Sequence, residues 1–105
     1  MKIPQKIKAL FGFAQKSKQL FSGDTAVKNC IKTNKAQLIL IAIDFPEKRK
    51  GYFIKWCTEK NIAYILWGTK EGYGELLGTA PRCLIAITDK QMAEEIYRII
   101  SEESC

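Results

Sequence analysis

Four cysteines, no histidine and one well-placed aspartate are the side chains in this 105-residue sequence that first invite a chemical reading. Without histidine, a Cys–His or Ser–His–Asp nucleophile is excluded. Cys30, Cys57, Cys83 and Cys105 are widely separated and form no CxxC pair, so a zinc site would need all four, the terminal residue included. That spacing favours no metal, and three of the four fall among apolar residues, where cysteine behaves as a small buried hydrophobe. A disulfide framework is equally disfavoured in a chain that shows no export signal. Asp44 follows the strongest apolar run, the place where α/β proteins put functional residues, but no second acid or base accompanies it. It reads more simply as a turn former before Pro46. Gly68, Gly72, Gly74 and Gly78 lack both the GK[ST] ending of a P-loop and the GxGxxG spacing of a dinucleotide site. They read as the entry and exit turns of a helix, and no cofactor is implied.

The stretch "FSGDTAVKNCIK" (residues 21–32) is different. Ser22 is a natural N-cap, and Gly23, Asp24 and Thr25 then occupy a first helical turn whose backbone N–H groups lack intrahelical acceptors. Such a turn attracts anions through its donors and the helix dipole, and Lys28 lies one turn further on. Gly23 leaves room for a close approach. The carboxylate of Asp24 would repel a phosphate, yet it can accept from the N1–H and exocyclic amine of a guanine. The simpler alternative is a capped structural helix.

The charge distribution supports a polyanionic partner. The net charge is +6, and residues 1–36 carry eight lysines against Asp24 alone, a local balance of +7. Residues 45–60 add +3, while residues 89–105 carry −3. This asymmetry makes a field that attracts polyanions such as nucleic acid, and the alternative is a solvated lysine face that serves only solubility.

The elements that must position these residues follow from hydrophobic periodicity. Ile3, Ile7, Leu10, Phe11 and Ala14 predict a helix over 3–17, in which Gly12 would mark a close helix–sheet contact. Leu20 and Phe21 form a short extended link, and Val27, Cys30 and Ile31 form the buried stripe of a second helix ending near Asn34. "LILIAI" (38–43), "IAYILW" (62–67) and "CLIAI" (83–87) lack alternation and predict strands covered on both faces. Between them, Pro46 and Glu47 start a third helix with Phe53, Trp56 and Cys57 on its apolar side, and residues 69–78 form a short fourth. Thr88 and Gln91 predict a capping box before a last helix carrying Met92, Ile96, Ile99 and Ile100. The alternation predicts one domain over residues 1–105, a three-layer α/β/α sandwich on a mixed, mainly parallel four-stranded sheet. No apolar run is long enough to span a bilayer and no signal peptide is visible, so the expectation is a cytoplasmic protein without membrane association.

The segments "ALFGFAQKSKQLFSGDTAVKNCIKTNKAQLILIAID" and "LLGTAPRCLIAITD" resemble the ribosomal protein L7Ae family, most closely its small bacterial YlxQ-like branch. The likeness covers about residues 5–100. It implies the same α/β/α fold and binding of RNA, often at kink-turns. In that family an Asn–Glu pair opening the second helix, and a Lys one turn on, contact the guanines of tandem sheared G·A pairs. The loop before the last strand covers an extruded nucleotide. Here Asp24 stands in place of the Asn, Thr25 in place of the Glu, and Lys28 matches. The loop corresponds to Thr79, Ala80, Pro81 and Arg82. The resemblance implies binding of structured or ribosomal RNA, and with no histidine, paired acids or cofactor motif the expectation is a monomeric, non-enzymatic protein. Gly23, Asp24, Thr25, Lys28 and the 79–82 loop would make contact, with Lys16, Lys18, Lys28, Lys32 and Arg82 neutralising phosphates. The competing expectation is a protein-interaction module that keeps the fold without specific RNA binding.

Overall fold

A computed structural model describes residues 3–103. Among the described residues, five helices and four strands alternate: α1 (Gln5–Lys16), β1 (Leu20–Ser22), α2 (Asp24–Lys32), β2 (Leu38–Ile41), α3 (Glu47–Glu59), β3 (Ala63–Leu66), α4 (Lys70–Leu77), β4 (Leu84–Ile87) and α5 (Lys90–Glu103). The strands form one mixed sheet in the order β1-β4-β2-β3.

The apolar residues of the two central strands divide between two cores, as a pleated strand requires. Leu38, Leu40, Ile85 and Ile87 face α1, α4 and α5, where they meet Ile7, Phe11, Ala14, Tyr73, Ile96 and Ile100. Ile39, Ile41, Leu84 and Ala86 face α2 and α3, where Val27, Cys30, Ile31, Phe53 and Cys57 cover them. This is the expected three-layer sandwich.

The expected mainly parallel pairing is corrected. Only β2 and β3 pair in parallel, while β4 runs antiparallel to both of its neighbours, β1 and β2. The strands β1, β2 and β3 do point the same way, but β4 is inserted between the first two in the opposite sense. The cause lies in the connection from β3 to β4. α4 has eight residues, about 12 Å of helix, and the 78–83 segment brings the chain back to the end of the sheet it left. Leu66 and Leu84 both lie beside Ile41 in the register. A helix between two strands makes them parallel only when the connection carries the chain back to the other end of the sheet.

Three local expectations are also revised. β3 is an edge strand with Ala63 and Leu66 exposed, rather than a strand covered on both faces. Met92 N–H donates to Asp89 Oδ2 at 2.9 Å, so Asp89 caps α5, while the Thr88 hydroxyl turns to Gln19. Gly12 is exposed, and a Cβ there would meet nothing within 4 Å. The expected close contact at Gly12 is absent, so the glycine only weakens α1. Gly12→Ala should therefore stabilise the protein by about 0.5–1 kcal/mol, raising the melting temperature by roughly 2–5 °C in a thermal scan.

Candidate nucleic-acid interface

The carboxyl ends of β1, β2 and β3 and the start of β4 share one edge of the sheet. The turns leaving that edge bring the head of α2, the 42–46 turn, the start of α4 and the 78–83 segment together. At β1 the chain passes from strand to helix through a single residue, Gly23, at φ +92°. That backbone conformation suits glycine and strains an L side chain. Ser22, expected as the N-cap, is instead the last residue of β1, and α2 has no side-chain cap. The Gly23 N–H is also engaged, donating to Leu84 O at 3.0 Å. The first helical bond is Val27 N–H to Gly23 O, which leaves the N–H groups of Asp24, Thr25 and Ala26 without intrahelical acceptors.

The surrounding turns are held in place by specific contacts. Asp44 Oδ1 accepts from the Lys70 N–H at 3.0 Å, so this aspartate ties the β2–α3 turn to the start of α4. The nearly buried Lys50 donates to Ile43 O at 2.9 Å and to Glu47 Oε1 at 3.0 Å, closing the same turn from the α3 side. Thr69 caps α4 by accepting from the Gly72 N–H at 3.0 Å, and Gly78 ends that helix in the left-handed region. The glycine cluster thus serves helix entry and exit. Gly74 has a further role: a Cβ there would lie 2.9 Å from Ala80 O and 3.0 Å from Thr79 O. The 79–82 loop packs directly on the backbone of α4, and the Arg82 N–H donates to Lys70 O.

Two of the grooves bordering α2 reach its head. One, of about 730 Å³, lies between the head of α2 and the loop before β4, lined by Ser22, Gly23, Asp24, Thr25, Pro81 and Arg82 among others. The other, of about 480 Å³, lies between α2 and α3 and is lined by Lys28, Lys32, Arg49, Tyr52 and Trp56. Asp24 and Thr25 border both. Gly23, Asp24, Thr25, Pro81 and Arg82 are thus brought together. Lys28 and Lys32, one turn apart, point along the second groove. Thr79 and Ala80 lie in the adjoining loop but line neither groove. Lys16 and Lys18 sit before β1, at the opposite end of the sheet from the head of α2.

Arg49, Tyr52 and Trp56 were not singled out from the sequence as contact residues. Arg49 forms an ion pair with Asp24 and lies 5.5 Å over the ring of Phe45. The pair offsets the negative charge that would otherwise oppose a phosphate at the head of α2. Lys28 Nζ lies 5.1 Å from the Trp56 ring centroid. The available signal was the i, i+3, i+7 spacing of the three residues on α3, which places them on one face. Their apposition to α2 is tertiary.

Among the described residues, the three thiols are all raised rather than activated. Burial pushes the Cys57 thiol up to about 11. Burial also raises Cys30, with Lys35 opposing, and raises Cys83, with Asp44 adding to the effect and Lys70 and Arg49 opposing it. Cys105 lies outside the described residues, and among the described residues no cluster is arranged to hold a metal ion. No helix among them is long and apolar enough to cross a membrane.

The fold recurs in known proteins. A protein of unknown function from Bacillus halodurans superposes with a TM-score of 0.86 at 20% identity, over 93% of this chain and 99% of that one. The Giardia lamblia 15.5kD RNA binding protein superposes with a TM-score of 0.76 at 18% identity, over 92% of this chain and 83% of that one. At these identities the likeness is one of fold. The match in sequence runs over residues 5–97, from α1 into α5, and so takes in every turn at the α2 edge of the sheet. On that match the chain belongs to the ribosomal protein L7Ae/L30e/S12e/Gadd45 family.

Proposed function

We propose that this is a non-enzymatic RNA-binding protein. It grips a structured RNA, kink-turn-like or ribosomal, between the head of α2 and the loop before β4. The observation that carries the reading is the open groove joining Gly23, Asp24 and Thr25 to Pro81 and Arg82, lined by the uncapped first turn of α2. Family membership and the fold shared with an RNA-binding protein of Giardia lamblia support the same partner class. The absence of histidine from the sequence and the structural engagement of Asp44 argue against catalysis.

An A-form duplex buries its major-groove edges, so binding to it rests on shape and phosphates. A kinked RNA with an extruded nucleotide offers base edges to Asp24 and Thr25 and a loose base to the 79–82 loop. Affinity for a kink-turn should exceed that for a matched duplex by about tenfold, or ~1.4 kcal/mol. The margin is modest because the Thr25 hydroxyl cannot supply the paired acceptors of a carboxylate to a guanine edge. Thr25→Glu should widen it. Titration of both RNAs at one salt concentration with both proteins tests this. Equal affinities throughout would reduce the site to a general basic surface.

A further inference from the structure

The second groove, on the α3 side of α2, holds aromatic side chains that the helix-head site does not use. Tyr52 is 49% exposed and stacks on Trp56, with ring centroids 6.2 Å apart and planes 18° from parallel. Trp56 is anchored from below by an edge contact with the buried Phe53, at 5.0 Å between centroids. The stack is therefore fixed at its base and open at its outer ring. Its surroundings are cationic: Lys28 and Lys32 line the groove from α2, and the one acid in the lining, Asp24, is paired with Arg49. The i, i+4 pairing of Tyr52 with Trp56 supports α3, and it leaves the outer face of Tyr52 open beside the lysines of α2. A flat aromatic face beside positive charge is the combination that takes an unpaired base and its phosphates, because every base has a π-face.

We infer that the α2–α3 groove binds single-stranded RNA, with a base stacked on Tyr52 and its flanking phosphates beside Lys28 and Lys32. The inference rests on the RNA-binding reading and extends it to the other flank of α2. Asp24 and Thr25 border both grooves, so an unpaired segment leaving the helix-head site can pass over the first turn of α2 into this one.

The probe is an eight-nucleotide oligouridylate, titrated at low salt in parallel with a kink-turn RNA. Wild-type protein should bind the oligouridylate, Tyr52→Ala should weaken that binding about tenfold, and Tyr52→Phe should retain it. Retention by the phenylalanine variant shows that the ring face, rather than the hydroxyl, is the contact. If wild type fails to bind the oligouridylate, or if Tyr52→Ala binds it as wild type does, the inference is overturned, whatever the kink-turn RNA does. Tyr52-dependent binding of the oligouridylate without binding of the kink-turn RNA would sustain this groove and remove the helix-head reading.

Discussion

Raising monovalent salt from 50 to 200 mM should weaken binding of structured RNA by about a hundredfold. The cations placed around the head of α2 are Lys28, Arg49 and Arg82, with Lys70 at the start of α4. If about four phosphates are neutralised there, the slope of log affinity against log salt is roughly −3 to −4, and a fourfold rise in salt gives the stated loss. Arg82→Ala should lower the magnitude of that slope by about one, because it removes one phosphate contact. Lys16→Ala should leave the slope nearly unchanged, since Lys16 ends α1 at the far end of the sheet. A flat salt response in wild type would favour the protein-interaction module over RNA binding.

The second large effect concerns the loop. Gly74→Ala should destabilise the protein by about 1–3 kcal/mol, because the new methyl group meets main chain that cannot rotate away. The Ala80 carbonyl oxygen would be 2.9 Å from it, and the Thr79 N–H is already bonded to Gly74 O at 2.8 Å. In a chain of this size that corresponds to a fall in melting temperature of roughly 5–15 °C. The same change at Gly12 acts in the opposite direction, since α1 presents its glycine to open space. Helix propensity favours alanine equally at both positions, so the difference in sign isolates the packing contact. Displacing the 79–82 loop should also reduce kink-turn affinity in whatever fraction of Gly74→Ala remains folded. Unaltered stability and binding would show that the loop does not depend on this contact.

Helices were legible where their buried stripes were dense. Ile7, Phe11 and Ala14 in α1, and Val27, Cys30 and Ile31 in α2, are all buried as their spacing requires. Strand direction was less legible, because apolar runs fix the existence of a strand and not the path of the chain between strands. Nothing in the composition of residues 67–83 announces that they return to the end they left. For β3, a continuous apolar run reads as a doubly covered strand. The run "IAYILW" nonetheless lies at the edge of the sheet, with Leu66 45% exposed. Caps were uncertain by one residue, since Thr88 and Asp89 are adjacent and both are good capping types.

At the candidate site, chain-local features were readable and tertiary ones were not. Asp24, Thr25 and Lys28 follow from helix spacing, and the 79–82 loop was matched by resemblance. The partner of Asp24 lies 25 residues further along, on α3. No local pattern ties Arg49 to the head of α2, because that contact depends on how α2 and α3 lie side by side over Ile39 and Ile41. The same holds for Lys28 over Trp56. Conversely, Lys16 and Lys18 looked near Asp24 in sequence, yet β1 carries the chain from one end of the sheet to the other between them.

The central claim is that RNA occupies the groove between the head of α2 and the loop before β4. Amide chemical-shift mapping of the isotopically labelled protein during titration with a kink-turn RNA tests it most directly. The largest shifts should fall on Gly23, Asp24, Thr25 and Ala26, and on Thr79, Ala80, Arg82 and Cys83. Residues 12–18 and the outer face of α5 should move little. Shifts concentrated on residues 12–18 or on α5, with the head of α2 silent, would contradict the account.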